Sequence, residues 1–236
     1  MKNKFMKIYE NISKQILDGR LIAGDMLPSE NELAESHSAS RETIRKALKM
    51  LSEDGYIHKV QGKGSIVLEM KRLDFPVSGL VSFKELTQKM GERAKTYVET
   101  FEKINPSPAL QEALKQTEDE LVWKVIRVRE IDGERIILDK DFLAEKYVPL
   151  LTIDICRKSI YEYLEEDLGL SIGFAKKEIT IEEPTKEDRK LLDLEGFHSI
   201  VVVKSHVYLD NASLFQFTES RHRPDKFRFV DFARRK

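Results

Sequence analysis

A two-part α+β protein is predicted by three observations. Residues 1–69 show apolar spacings of three and four, interrupted by helix-capping residues, and then a glycine-tipped hairpin. Residues 79–236 alternate extended runs with short helical ones, and two of the extended runs end in Asp-Gly or Asp-Asn. Between them, residues 70–78 have no periodicity and contain Pro76, which reads as a linker.

The first part builds element by element. Phe5, Ile8, Tyr9, Ile12, Ile16 and Leu17 form the stripe of an amphipathic helix that Gly19 ends. Ser29 and Glu32 fit a capping box and open a second helix with Leu33 and Ala34 as its short apolar face. The polar run from Ser36 to Ser40 is a turn. Ser40 then caps a third helix from Arg41 to about Asp54, with Ile44, Ala47, Leu48 and Leu51 as its stripe and Gly55 as its stop. Tyr56–Val60 and Ser65–Leu68 flank the tip Gln61-Gly62-Lys63-Gly64, giving a hairpin.

In the second part, a helix is expected from Ser82 to Gly91, a strand over 96–102 and a helix over 108–116. Strands 121–131 and 135–142 follow, joined at Asp132-Gly133. A helix over 160–168, an extended run over 172–181 and a helix over 187–192 come next. Strands 200–209 and 213–221 close the set, joined at Asp210-Asn211. The sum is an antiparallel sheet with helices on it.

Composition narrows the function. The 236 residues carry 40 Lys+Arg and 41 Asp+Glu, a net charge of −1, with 41% apolar and 34% charged residues. Such a chain has the apolar content for packed cores, and bulk charge cannot attach it to nucleic acid. No apolar run approaches the length of a membrane span, and the lone Cys156 excludes an internal disulfide or a cysteine-rich zinc site. A soluble, reduced, cytoplasmic protein without metal or cofactor is the expectation, and no membrane partner.

Charge is local, however. Residues 41–63 hold six basic and three acidic groups. Arg41, Arg45 and Lys49 are spaced by four on helix three, beside its buried stripe, and Lys63 sits at the hairpin tip. Taken alone, each is a solvated surface residue. Together they form a rigid rod with planar donors near its N-terminus and a slim basic tip, which suits a DNA duplex.

The segments Leu27-Pro28-Ser29-Glu30-x-x-Leu33-Ala34, Ser40-Arg41-x-Thr43-Ile44-Arg45-x-Ala47-Leu48, Leu51-x-x-x-Gly55-Tyr56-Ile57 and Gly62-x-Gly64 resemble the winged helix-turn-helix of GntR-type bacterial transcription regulators. That resemblance implies double-stranded operator DNA as partner, with Ser29, Asn31, Ser40, Arg41, Thr43, Arg45, Gly62 and Lys63 at the interface. Asn31 departs from the Arg usual there, and Asn favours an adenine edge where Arg favours guanine.

In the second part, three features point to an anion. Arg127 and Arg129 leave one face of a strand together with Trp123, Val125 and Ile131, so each needs a counter-anion, either a ligand or carboxylates such as Glu219 or Asp139. Ser82-Phe83 opens a helix, where free N–H groups either bind phosphate or are simply capped. Glu219, Arg221 and Arg223 alternate on the last strand, with a solvated edge as the plain alternative. These segments, with Ser159-Ile160-Tyr161 and Asp225-x-Phe227-x-Phe229, resemble the effector domain of the HutC branch of GntR regulators. The resemblance implies a chorismate-lyase-like fold over residues 79–236, homodimerisation, and a sugar-phosphate effector. Trehalose 6-phosphate leads, with another sugar phosphate or a carboxylate metabolite as the alternative. Ser82, Phe83, Arg127, Arg129 and Ser159 would surround the phosphate, Glu219 would meet sugar hydroxyls, and Phe227 stands where relatives carry Tyr. An enzyme on a lyase-like fold is the weaker reading, because none of the five histidines has a triad-like or metal-ligand setting. Cys156 beside Arg157 and Lys158 could be an acidified thiol, but no base accompanies it.

Overall fold

The computed structural model describes residues 4–60, 62–68, 82–84 and 94–229. The chain separates into two compact units, the second spanning residues 80–227. The expected linker lies outside the described residues, as does the expected 82–91 helix beyond Lys84.

The N-terminal unit follows the apolar spacing. Helix α1 (Lys4–Leu17) buries Ile8, Ile12 and Ile16 against Ile44, Ala47, Leu48 and Leu51 of α3 (Arg41–Glu53). Helix α2 (Glu30–Ser36) starts with a full capping box. The Ser29 hydroxyl accepts from the Glu32 N–H at 3.3 Å, and the Glu32 carboxylate accepts from the Ser29 N–H at 2.7 Å. Ser40 caps α3 through the Thr43 N–H at 3.2 Å, and Gly55, at φ +77°, closes it. Strands β1 (Ile57–Val60) and β2 (Gly64–Val67) pair antiparallel as the wing.

The second unit is a six-stranded antiparallel sheet in the order β3-β4-β5-β8-β7-β6. Its strands are β3 (Ala94–Ile104), β4 (Val122–Ile131), β5 (Glu134–Ala144), β6 (Ile172–Glu182), β7 (Ile200–Leu209) and β8 (Leu214–His222). The β4–β5 hairpin turns at Asp132 and Gly133, both in the left-handed region at φ +53° and +86°, as a two-residue hairpin requires. The β7–β8 connection is longer than Asp210-Asn211 alone. It runs through Ala212 at φ +63°, and the Asn211 side chain accepts from the Ser213 N–H at 3.0 Å.

One sheet face is covered by α5 (Ile153–Lys158), α6 (Ile160–Glu162) and the π-helical turn Tyr163–Asp167 that continues it. Here Cys156, Ile160 and Leu164 pack on Trp123, Val125 and Leu143. Helix α5 was not anticipated from sequence: six residues capped by Thr152 are too few to show a period. The expected 160–168 helix is a single α-turn that widens into the π-turn. On the other face, Leu192 and Leu194, following α7 (Lys186–Leu191), pack on Ile126, Val128, Leu138 and Val202. Helix α4 (Pro108–Leu114) packs against β8 and stops at Lys115, which is left-handed at φ +52°.

The solvated edge weighed as the plain alternative for Glu219, Arg221 and Arg223 does not occur, because their strand is central. β8 lies between β5 and β7, and Arg221 and Arg223 are buried rather than solvated. Arg221 pairs with Asp188 at 2.9 Å, Glu182 at 3.1 Å and Glu219 at 2.9 Å. Arg223 pairs with Asp225 at 2.8 Å and Glu134 at 2.9 Å.

Gly173 supplies a local test of this packing. A Cβ there would sit 2.8 Å from the Asp210 Cα, a backbone atom that cannot swing aside. Gly173→Ala is expected to destabilise the protein by about 1–3 kcal/mol, read from its urea midpoint.

Candidate DNA interface and anion site

The N-terminal unit gathers its predicted contact residues on one structural frame. Arg41, Arg45 and Lys49 are exposed on α3, while its buried stripe faces α1. The Ser40 hydroxyl lies 2.8 Å from the Thr43 hydroxyl, so the cap and the first turn share one polar corner. Asn31 is exposed in the first turn of α2, one residue after Glu30. Gly62 and Lys63 are exposed at the wing tip. Gly62 has φ +75°, and a Cβ there would meet nothing within 4 Å, so the glycine serves backbone geometry and leaves the tip thin.

Sequence reasoning missed Glu30. Its carboxylate accepts from Arg45 Nε at 2.8 Å and Lys59 Nζ at 3.0 Å, tying α2, α3 and the wing together. Hydrogen bonds from Arg45 and Lys59 hold this carboxyl below its usual range. The contact runs through Nε of the exposed Arg45 side chain. The capping box involves Ser29 and Glu32 and leaves Glu30 unassigned, so its cross-element role follows only from the fold.

In the second unit, Arg127 and Arg129 emerge on the α5/α6 face, and both are buried. Arg127 donates from Nε and Nη2 to one oxygen of Asp141, at 3.1 and 2.6 Å, and from Nη1 to the Cys156 carbonyl at 3.2 Å. Arg129 donates from Nε to Asp139 at 2.8 Å and from Nη1 to the Thr96 hydroxyl at 2.7 Å. The Phe83 ring lies over its guanidinium at 4.5 Å. Of the two carboxylates considered as internal partners, Asp139 is one. Glu219 is not.

The remaining residues connect to this cluster through short chains of contact. Asp139 accepts from the Ser220 hydroxyl at 2.5 Å, Ser220 lies 3.0 Å from His222 Nε2, and the Phe227 ring packs on His222 at 5.1 Å. Ser159 caps α6 by accepting from the Glu162 N–H at 3.2 Å. Glu162 in turn binds Lys84, next to Ser82 and Phe83, at 2.6 Å. Thus Phe83, Arg127, Arg129, Ser159 and Phe227 belong to one neighbourhood, and Ser82 adjoins it in sequence.

Glu219 stands apart for a geometric reason. The register pairs Arg127 with Asp139 and Asp139 with Ser220, which places those three on one face. Glu219 is one residue from Ser220 and pairs with Lys140 and Lys204, so it points to the opposite face. Its carboxylate there binds Arg221. A motif read along the chain does not reveal which face each member takes.

Electrostatics follow burial. Burial and the adjacent Arg127 charge pull Arg129 down to about 10. Burial opposes the charge on Arg127 too, but Asp141 and Asp139 outweigh it and its pKa rises. For Asp139, burial pushes upward while Arg129 and Arg127 win and hold it at about 2. For Asp141, burial wins and its pKa is raised despite Arg127. Burial also pushes the Cys156 thiol up to about 12, so it is not the acidified thiol its basic neighbours suggested. Among the described residues, no cluster of three or more metal-ligating side chains occurs.

Comparison with known proteins matches two family models. Residues 5–67 match the gntR family of bacterial regulatory proteins, and residues 89–228 match the UTRA domain. The chain is 57% identical over 233 residues to the HTH-type transcriptional regulator TreR of Bacillus subtilis, covering 99% of this chain and 98% of that protein. It is 30% identical over 235 residues to the mannosyl-D-glycerate transport/metabolism system repressor MngR of Escherichia coli, covering 100% and 98%. Among solved structures, YydK of Bacillus subtilis aligns with a TM-score of 0.81 at 26% identity, over 98% of this chain and 100% of that one. The effector binding domain of the B. subtilis trehalose repressor aligns with a TM-score of 0.57 at 57% identity, over 60% of this chain and 99% of that one.

The buried cluster carries a pH signature. Burial holds His222 neutral, with its pKa down at about 4. The unfolded ring titrates near 6.5, so the unfolded chain gains a proton first as pH falls. His222 therefore supports the fold fully above about pH 6.5, and that support is lost as pH falls towards about 4. The wild type is expected to lose on the order of 2–3 kcal/mol more than His222→Gln between about pH 7 and 4, by urea denaturation at each pH.

Proposed function

The chain belongs to the GntR family of bacterial regulatory proteins and carries a UTRA domain, and from that membership we propose that it is the repressor of a trehalose-utilisation operon, released from its operator by trehalose 6-phosphate. As a transcription regulator, it is not an enzyme. The observation that carries the sugar assignment is 57% identity to TreR extending over 99% of this chain. The buried arginine pair, with Phe83 against Arg129, supplies the chemistry for an anionic group. The 30% identity to the repressor MngR, whose name carries a different sugar derivative, favours one second reading, a different phosphorylated sugar or a carboxylate metabolite.

On this reading the duplex meets the exposed face of α3. Arg41 and Arg45 present guanidinium groups near the start of the helix, where they can reach base edges in the major groove, and the positive helix end favours phosphate. Ser40 and Thr43 add hydroxyl donors, Ser29 and Asn31 extend the contact from α2, and Gly62 and Lys63 approach the backbone or minor groove. Glu30 holds the Arg45 guanidinium by one edge, which reduces the rotamer entropy lost on docking. One such helix reads one half-site, so the regulator acts as a homodimer on a palindrome.

A sugar phosphate lowers operator affinity only by favouring the arrangement that does not fit the operator. The coupling is reciprocal, so operator DNA weakens sugar-phosphate binding by the same factor. In an electrophoretic mobility-shift assay with operator DNA, saturating trehalose 6-phosphate is expected to raise Kd about 5-fold or more. Arg127→Ala is expected to bind the operator normally and ignore the sugar phosphate. Unchanged DNA affinity of the wild type at saturating ligand refutes the effector assignment.

A second measurement separates the units. Arg45→Ala is expected to lose about 1–3 kcal/mol of operator affinity and to relax specificity at one position of the half-site, with dimer mass unchanged by light scattering.

A further inference from the structure

Resting on the reading of the arginine cluster as the phosphate site, we propose that binding of a phosphate ester is coupled to uptake of one proton by Asp141. The argument begins with charge. Arg127 and Arg129 are already balanced by Asp141 and Asp139, and the nearby Lys84 by Glu162. A phosphate monoester adds about two negative charges at neutral pH. Bringing them into a buried cluster that is already neutral is costly unless a compensating charge arrives.

Geometry selects Asp141 as the group that compensates. Arg127 spends Nε and Nη2, its paired donor edge, on a single Asp141 oxygen. That edge is the one a phosphate takes bidentately. Once it turns to the ligand, the Asp141 carboxylate is left inside the protein with Gln216 as its neighbour. Asp141 is also the deeper acid, with its side chain 5% exposed against 17% for Asp139.

Gln216 is built to serve both protonation states. Its Nε2 donates to Asp141 Oδ1 at 2.9 Å, which suits a carboxylate. Its own Oε1 is buried without a hydrogen-bond partner. Turning the amide over presents Oε1 to Asp141, where it accepts a hydrogen bond from the protonated acid. The proton balance is simple: a buffer acid gives up a proton and Asp141 Oδ1 gains it, with no other bond made or broken.

The surrounding groups do not offer a better acceptor. Asp139 stays ionised between Arg129 and Ser220. His222 faces Ser220 and is held neutral by burial. From the covering helices, Tyr161 and Cys156 keep their protons, because burial raises both. Lys177 shares the Asp141 row, but three strands away across Thr218 and Ser205. Burial raises the Asp141 pKa even while Arg127 is in place, and removing Arg127 raises it further.

Isothermal titration calorimetry of the full chain with trehalose 6-phosphate at about pH 8, where the free ester is a dianion, tests the coupling. Comparing buffers of low and high ionisation enthalpy is expected to show uptake approaching one proton per site. Affinity is expected to fall up to about tenfold per pH unit as pH rises, since each binding event takes up a proton that becomes scarcer. Asp141→Asn is expected to bind with no uptake and a flat pH dependence. If that variant does not fold, the wild-type infrared difference spectrum decides: ligand addition is expected to produce the C=O stretch of a protonated carboxylic acid. Binding without net proton uptake, uptake that persists in Asp141→Asn, or absence of that band overturns the inference. Failure of trehalose 6-phosphate to bind at all overturns the effector reading and this inference with it.

Discussion

The geometry of the C-terminal unit depends on one extra residue. From the Asp132-Gly133 turn, the hairpin pairs Ile131 with Glu134 and Glu130 with Arg135. The next pair is Arg129 with Ile137, so Ile136 is bulged out of the ladder. Had the register continued unbroken, Arg127 would have stood opposite Leu138, and Asp139 opposite Ile126. A shift of one residue moves every side chain to the other face. The bulge therefore brings Asp139 and Asp141 onto the face of Arg127 and Arg129. On its other side, the Ile136 carbonyl accepts from the Arg223 N–H at 3.0 Å, one step beyond the Ile137–His222 pair of β5 and β8. Without this shift the sheet would bury two cations on one side and two anions on the other, each unpaired. Leaving even one such charge without its partner costs about 3–5 kcal/mol.

The two units treat charge in opposite ways. In the N-terminal unit, Glu30 sits at the surface and binds Arg45 and Lys59, both well exposed. Such pairs add little stability, but they set the direction of a long side chain. In the second unit the ion pairs of Arg127, Arg129 and Arg221 are buried, where the same kind of contact has few alternatives. Arg221 and Arg223 repeat this pattern on the other side of the sheet and beyond its end, so the central strand β8 is framed by ion pairs as well as apolar packing. A surface pair can therefore be exchanged for a DNA contact with small loss, whereas rearranging a buried pair requires a replacement charge.

Much of this was legible in the sequence where the signal is local. Ser29 with Glu32, Ser40 before Arg41, and Gly55 after the third helix fix the N-terminal elements through hydrogen bonds within a few residues. Asp132-Gly133 announced a hairpin because both positions need a left-handed backbone. What could not be read is what depends on register. The bulge at Ile136 has no marker residue, so the partners of Arg127 and Arg129 could not be assigned. Glu219 matched a motif, yet it faces away from the arginines, since alternation along a strand does not reveal which side is which. Helix α5 escaped because six residues show no period, and Gln216 and Ser220 because their roles arise only when β8 lies beside β5.

The bulge has an evolutionary corollary. Between Gly133 and Asp139 the chain can exchange one side chain for another with local effects, but it cannot shorten by one. Excision of Ile136 would restore a regular ladder and carry both acids away from their cations at a single stroke. Length, more than residue identity, is the conserved quantity that this short stretch imposes on any descendant that keeps the cluster.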